Sequence, residues 1–117
     1  MSNSSLYNGG FLLEMMGGSI TEVKGIAQML FDLGPKMITE IEIAINNEDW
    51  EEAGRVAHKL KSSLKLWQMD ELVAKALFIE TNGKKNSEIE SIKNKFDSLK
   101  QDFNIALDAM RLEYGFE

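Results

Sequence analysis

The side chain of this protein most able to do chemistry is its only histidine, His58. An exposed imidazole is largely neutral near pH 7, and a neutral imidazole carries a nucleophilic nitrogen. The chain has no cysteine, which excludes thiol chemistry and argues against a zinc site built from soft ligands. Because a lone surface histidine most often has no function, the neighbours of His58 must decide whether it acts as a nucleophile.

A helix over residues 53–67 places His58 opposite the apolar face. At about 100° per residue, Gly54 and Ser62, one turn on either side of His58, point within about 40° of it. Because both neighbours are small, we expect them to leave the imidazole open to a partner. Glycine is a poor helix former, so Gly54→Ala is predicted to stabilise the helix by roughly 0.5–1 kcal/mol. The apolar side chains share the opposite face: Ala53, Val56, Leu60, Leu64 and Trp67.

The helix that carries His58 is basic, whereas the chain as a whole is acidic. The net charge is −6 and residues 53–69 carry +4, so the remainder of the chain carries −10. Of the four cations in this segment, three lie within about 60° of His58, namely Arg55, Lys61 and Lys65; the fourth is Lys59. The patch favours a small anionic target, either a phosphoryl group or an acidic pocket on a partner, although an ordinary solvated face is the alternative. The acidic balance argues against general nucleic-acid binding.

Length and composition indicate one domain over residues 1–117. Apolar residues make up 44% of the chain, which is enough for a single buried core. No apolar run approaches the ~20 residues that span a bilayer, and the N-terminus lacks the basic and apolar regions of a signal peptide. We therefore expect a cytoplasmic protein with a disordered stretch at residues 1–5.

Glycine pairs and a capping pattern define the first two helices. A short apolar helix is predicted between the Gly-Gly pairs at 9–10 and 17–18. Ser19 then opens a capping box at the start of a helix over about residues 20–46. Pro35 interrupts that helix, but the apolar phase continues across the proline. We expect one kinked helix, with two helices sharing a line as the alternative.

Two further helices follow in the middle of the chain. The helix of His58 is expected over about residues 48–68, with Asn46 or Asn47 as its cap. Asp70 is a plausible N-cap for the next helix, which is predicted over residues 71–81.

The last part of the chain is predicted to be a polar loop and a long helix. The loop covers residues 81–86, and a second capping box at 87–90 opens the helix. Apolar residues of this helix recur in alternating steps of three and four, and no segment of the chain alternates with period two. The sequence therefore predicts an all-α fold, an antiparallel four-helix bundle with a short additional N-terminal helix.

Residues 57–63, AHKLKSS, resemble the His-x-Leu-Lys-Gly-Ser core of histidine-containing phosphotransfer (HPt) domains. The resemblance covers roughly residues 17–110 and includes NEDW before the helix, Leu72 after it and Ile-Glu near the end of the next helix. The family usually has glycine where this chain has Ser62 and Gln68. Serine is still small enough to leave the histidine accessible, whereas Gln68 changes only how the helix ends.

The resemblance implies that His58 is phosphorylated. HPt domains accept a phosphoryl group from a receiver-domain aspartate and pass it to another receiver domain, without kinase or nucleotide-binding activity of their own. Lys61 would contact the phosphoryl oxygens, and the docking face would include Gly54, Arg55, Ser62 and Lys65. The implied partners are receiver domains of response regulators and hybrid histidine kinases. The carrier itself would be a monomer without a cofactor, because Mg²⁺ belongs to the receiver domain.

Two other functions compete with this one. A non-phosphorylated helical bundle could use the basic face around His58 to dock an acidic partner. A hydrolase or other enzyme would need a group that orients the imidazole, and the helix offers no second histidine and no carboxylate near His58. The Met-Ser start favours a free-standing protein over a piece of a larger hybrid kinase.

Overall fold

The computed structural model describes residues 6–116, so the disorder predicted for residues 1–5 lies outside the described residues. These residues form five helices and no strand, which confirms the all-α prediction. In chain order the helices are α1 (Gly10–Met15), α2 (Ile20–Asn46), α3 (Trp50–Leu66), α4 (Asp70–Lys85) and α5 (Ile89–Tyr114). Within the described part of the chain, no helix combines the length and apolar character that a membrane crossing requires.

The four long helices enclose the core. Helix α3 packs against α2 and α4, and α5 packs against α4 and α2. The predicted apolar face of α3 is buried in this core, where Leu60 and Leu64 have no exposed surface. Helix α1 covers one end of the core: its Leu12 is buried, and the Asn8 amide just before it donates a hydrogen bond to the carbonyl of Trp67. This packing holds α3 with one face in the core and the opposite face at the surface.

Helix α2 is a single helix that continues through Pro35, as its apolar phase predicts. Ser19 caps it, because the Ser19 hydroxyl accepts a hydrogen bond from the Glu22 amide at 3.3 Å. Helix α3 is capped differently from the prediction. Asp49, and not Asn46 or Asn47, is its N-cap, since the carboxylate of Asp49 accepts from the amide of Glu52 at 3.2 Å.

The predictions around α4 need correction. Asp70 lies inside the helix rather than at its N-cap, and α4 runs to Lys85 through most of the predicted loop at 81–86. The extra turn is held by tertiary packing, because Gly83 is buried against the backbone of α3. The capping box predicted at 87–90 is absent: the Ser87 hydroxyl donates instead to the side chain of Asn82 at 3.2 Å, which braces the end of α4.

The end of α3 explains the family preference for glycine at position 68. Gln68 has a φ of 51°, in the left-handed region that disfavours residues with a Cβ. Its neighbour closes the helix, since the Met69 amide donates to the Leu64 carbonyl at 3.1 Å. The helix therefore ends with the usual left-handed turn, and glutamine carries its conformational strain.

We expect Gln68→Gly to raise the free energy of unfolding by about 0.5–1 kcal/mol. Glycine removes the left-handed strain but adds flexibility to the unfolded chain, so only part of the strain energy is recovered. Urea unfolding measures the difference, with Gln68→Ala as the matched control because alanine keeps the Cβ. A glycine variant no more stable than the alanine variant would contradict this account.

Candidate functional site

His58 lies on the solvent-facing side of α3, as its position on the helix predicts. Its side chain is 60% exposed, whereas Ala57 and Leu60 beside it are fully buried. Ser62, one turn further along, is also exposed. The imidazole is thus held on a rigid helix and is open to a second protein.

A carboxylate from the neighbouring helix contacts His58. The Oε2 atom of Glu80, on α4, lies 2.6 Å from His58 Nδ1, and the Oε1 atom accepts a hydrogen bond from Lys61 Nζ, also at 2.6 Å. The sequence of the His58 helix gives no sign of this carboxylate, because Glu80 is 22 residues away in the chain. It is brought to His58 by the packing of α4 on α3. Its place in the Ile-Glu pair of the family resemblance was the only signal in the sequence.

The contact with Glu80 determines which nitrogen of His58 is free. The hydrogen bond from Lys61 holds the pKa of Glu80 below its ordinary value; partial burial opposes this shift, and the hydrogen bond with His58 adds to it. An ionised carboxylate can only accept hydrogen bonds. Nδ1 of a neutral His58 therefore carries the proton and donates a hydrogen bond to Glu80. The lone pair is then on Nε2, which is the ring nitrogen able to act as a nucleophile.

Lys61, the residue expected to contact a phosphoryl group, is held by Glu80 in this structure. Its side chain is only 12% exposed, and its ammonium group is paired with Glu80 rather than directed into open solvent. It contacts the same carboxylate that contacts the imidazole. A direct contact with phosphoryl oxygens would require Lys61 to exchange its partner.

A cleft of about 440 Å³ opens beside His58, between α3 and the last turns of α4. Two cations line it: Arg55, which is paired with Glu52 at 2.6 Å, and Lys84, which has no ion-pair partner among the residues that the structure describes. Lys84 was missed in the sequence because it falls in the predicted loop. Lys65 and Lys59 are exposed on α3 but do not line the cleft.

Gly54 also lines the cleft, but its expected role needs correction. It is buried, and a Cβ built on it would lie 3.1 Å from the carbonyl oxygen of Glu80 and 3.4 Å from its Cα. The small size of Gly54 serves the approach of α4, and Gly54 itself is buried rather than exposed beside His58. The prediction that Gly54→Ala stabilises the helix is therefore withdrawn, because the added methyl group would press on the α4 backbone.

The ion pair between Lys61 and Glu80 predicts a pH-dependent contribution to stability. Because the pKa of Glu80 is lowered in the folded protein, this contribution is present above the unfolded pKa, near pH 4.3, and is lost as the pH falls through the lower folded pKa. Lys61→Met, which keeps the apolar stem but not the charge, should cost about 1 kcal/mol at pH 7. In urea unfolding the difference from the wild type should shrink as the pH falls below the unfolded pKa of Glu80. A difference that does not vary with pH would assign the effect to packing of the stem alone.

No metal-binding group of three or more His, Cys, Asp or Glu side chains occurs within residues 6–116. The chemistry of the site is that of one oriented imidazole beside a carboxylate and several cations. This arrangement can hold a small anionic group on Nε2 at the protein surface.

Comparison with known proteins agrees with this geometry. A family model described as the Hpt domain matches residues 25–111, which includes α3, α4 and all but the end of α5. No curated protein and no solved structure gives a significant match to the chain. Members of the Hpt family are phosphotransfer carriers that interact with receiver domains in two-component signalling. With the match spanning most of its length, the chain belongs to the Hpt domain family.

Proposed function

We propose that this protein is a phosphorelay carrier that accepts a phosphoryl group on Nε2 of His58 from a receiver-domain aspartate and passes it to another receiver domain. The observation that carries the proposal is the 2.6 Å contact between Glu80 and Nδ1 of an imidazole that is 60% exposed. It leaves Nε2 unprotonated and accessible, which is the state that in-line attack on phosphorus requires.

In the proposed transfer, no proton has to enter or leave the site. The lone pair of Nε2 attacks phosphorus, the bond between phosphorus and the aspartyl oxygen breaks, and the aspartate leaves as a carboxylate. The ring gains positive charge while Nδ1 keeps its proton, and the carboxylate of Glu80 stabilises that charge. In the second transfer an aspartate oxygen attacks phosphorus, and the Nε2–P electron pair returns to the ring.

The basic face supplies charge for the phosphoryl group and for docking. We propose that Arg55, Lys65 and Lys84 lie around the incoming phosphoryl group and the acidic site of the partner, while Ser62 leaves room for it. Lys61 contributes through Glu80 and stays a candidate for direct phosphate contact only if it exchanges partners. Gly54 contributes by shape. The Mg²⁺ and the acyl phosphate come from the receiver domain, so this chain carries a nucleophile and a docking face but no kinase activity and no cofactor.

We propose that the four long helices form an antiparallel bundle and that α1 is the short additional helix. The chain then acts as one monomeric domain in the cytoplasm, with receiver domains of response regulators and hybrid histidine kinases as its partners.

Incubation with a radiolabelled phosphorylated receiver domain and Mg²⁺ tests the proposal. The carrier should take up the label in a form that is acid-labile and base-stable, as a phosphoramidate is. A second, unphosphorylated receiver domain should then remove the label. Stable binding without transfer of label would instead make the protein a docking module that uses the same basic face.

A further inference from the structure

Two glycines bring the backbones of α3 and α4 into direct contact next to His58. A Cβ built on Gly83 of α4 would lie 2.4 Å from the carbonyl oxygen of Trp50 on α3 and 3.3 Å from the Cα of Gly54. A Cβ on Gly54 would in turn lie 3.1 Å from the carbonyl oxygen of Glu80. Since neighbouring backbone atoms already fill both positions, neither helix can accept a side chain there without moving.

The glycines are needed for distance and not for backbone conformation. Neither Gly54 nor Gly83 has a positive φ; in residues 6–116 that conformation occurs at other glycines, such as Gly17 and Gly115. Both lie inside helices, where glycine is an unfavourable residue. Their position is explained by the close approach that they permit.

The contact lies next to the hydrogen bond that orients His58. Gly54 is one turn before His58 on α3, and the backbone of Glu80 is the part of α4 that faces Gly54. The separation of the two backbones therefore determines whether the Glu80 carboxylate reaches Nδ1. At 2.6 Å the hydrogen bond can lengthen by about 0.6 Å before it passes the end of the ordinary range near 3.2 Å, so a displacement of about an ångström would break it.

We infer that Gly54 and Gly83 are positioning residues for phosphoryl transfer, which hold α4 at the separation where Glu80 keeps the proton on Nδ1 and Nε2 free. The consequence for transfer rests on the proposed function, whereas the effect on the imidazole does not. The glycines touch no reacting atom and act through Glu80.

The tautomer of His58 reports the contact without any transfer reaction. Long-range ¹H–¹⁵N NMR of the ¹⁵N-labelled protein at neutral pH distinguishes a protonated from an unprotonated ring nitrogen. The wild type should show a protonated Nδ1 and an unprotonated Nε2. Gly83→Ala should convert this pattern towards the tautomer mixture of a free imidazole and slow phosphoryl acceptance at least tenfold, because its Cβ would lie 2.4 Å from the Trp50 carbonyl oxygen and the helices must move apart by about an ångström to relieve that contact.

Matched variants separate positioning from a general effect on folding. Gly25→Ala adds the same methyl group to an exposed glycine of α2 with no atom within 4 Å, and it should change neither the tautomer nor the rate. In a Glu80→Gln background, Gly83→Ala should have no further effect on the NMR pattern. Glu80→Asp shortens the side chain at unchanged helix separation and should also lose the wild-type tautomer, which keeps the test valid if the glycine variants fold poorly.

The inference is overturned if Gly83→Ala or Glu80→Asp folds and keeps the wild-type tautomer. It is also overturned if Gly83→Ala changes the NMR pattern equally with and without Glu80. Failure of the proposed function looks different. In that case the wild type takes up no label from a phosphorylated receiver domain, while the NMR result for the glycine contact still stands.

Discussion

His58→Gln should abolish phosphoryl acceptance and leave the fold intact. The glutamine amide has no nucleophilic nitrogen, so no phosphoramidate can form at this position. The change in the free energy of unfolding should stay within about 0.5 kcal/mol, because the imidazole is 60% exposed. Glu80 also keeps its hydrogen bond with Lys61 when His58 is replaced.

The measurement is uptake of label from a phosphorylated receiver domain, together with urea unfolding. Lys59→Gln is the matched control, since it places the same side chain on the neighbouring exposed position of α3 and should keep most of the activity. If His58→Gln still accepts label, the phosphorylated residue lies elsewhere. If it unfolds, His58 contributes more to the stability of the fold than its exposed position predicts.

Ser62→Phe should have the second largest effect, a loss of about 100-fold or more in the rate of transfer. Ser62 is exposed one turn from His58, whereas Gly54, one turn on the other side, is buried against α4. In-line attack requires the phosphoaspartate to come within van der Waals distance of Nε2. A phenyl ring at this position would hold the two proteins apart by more than the ångström that already costs about 100-fold.

The expected loss comes from shape and not from stability. Gln101→Phe puts the same ring on an exposed position of α5 and should transfer at the wild-type rate with similar stability. Ser62→Gly, which restores the residue that the family usually has, should be tolerated and could speed transfer. Normal transfer by Ser62→Phe would mean that the receiver domain does not dock over this face.

Ser62 and Gly54 have similar predicted positions beside His58 but different exposure in the structure. Helical spacing places both residues beside His58, and the structure agrees for both. Spacing also suggests that both small residues keep the imidazole open, yet only Ser62 is exposed. Gly54 is covered by α4, and no pattern within α3 indicates which side of the helix a neighbour will cover.

The sequence by itself determined the helices whose signals are local. The bounds of α2 and its continuation through Pro35 follow from the capping serine and an unbroken apolar phase. The exposure of His58 follows from the apolar face opposite it, since residues one or two turns apart in a helix have a fixed angular relation. These properties depend on residues close together in the chain, so a single sequence is enough to predict them.

Only the tertiary structure decided the chemistry of the imidazole and the length of α4. Glu80 reaches His58 because the backbones of α3 and α4 are in contact. Glycine is unfavourable in a helix, so Gly83 predicts an earlier end for α4, but packing extends the helix to Lys85. Packing adds burial and hydrogen bonds between residues far apart in the chain, and their energy outweighs the local preference of a glycine. The orientation of His58 therefore depends on a contact between two helices that no local pattern encodes.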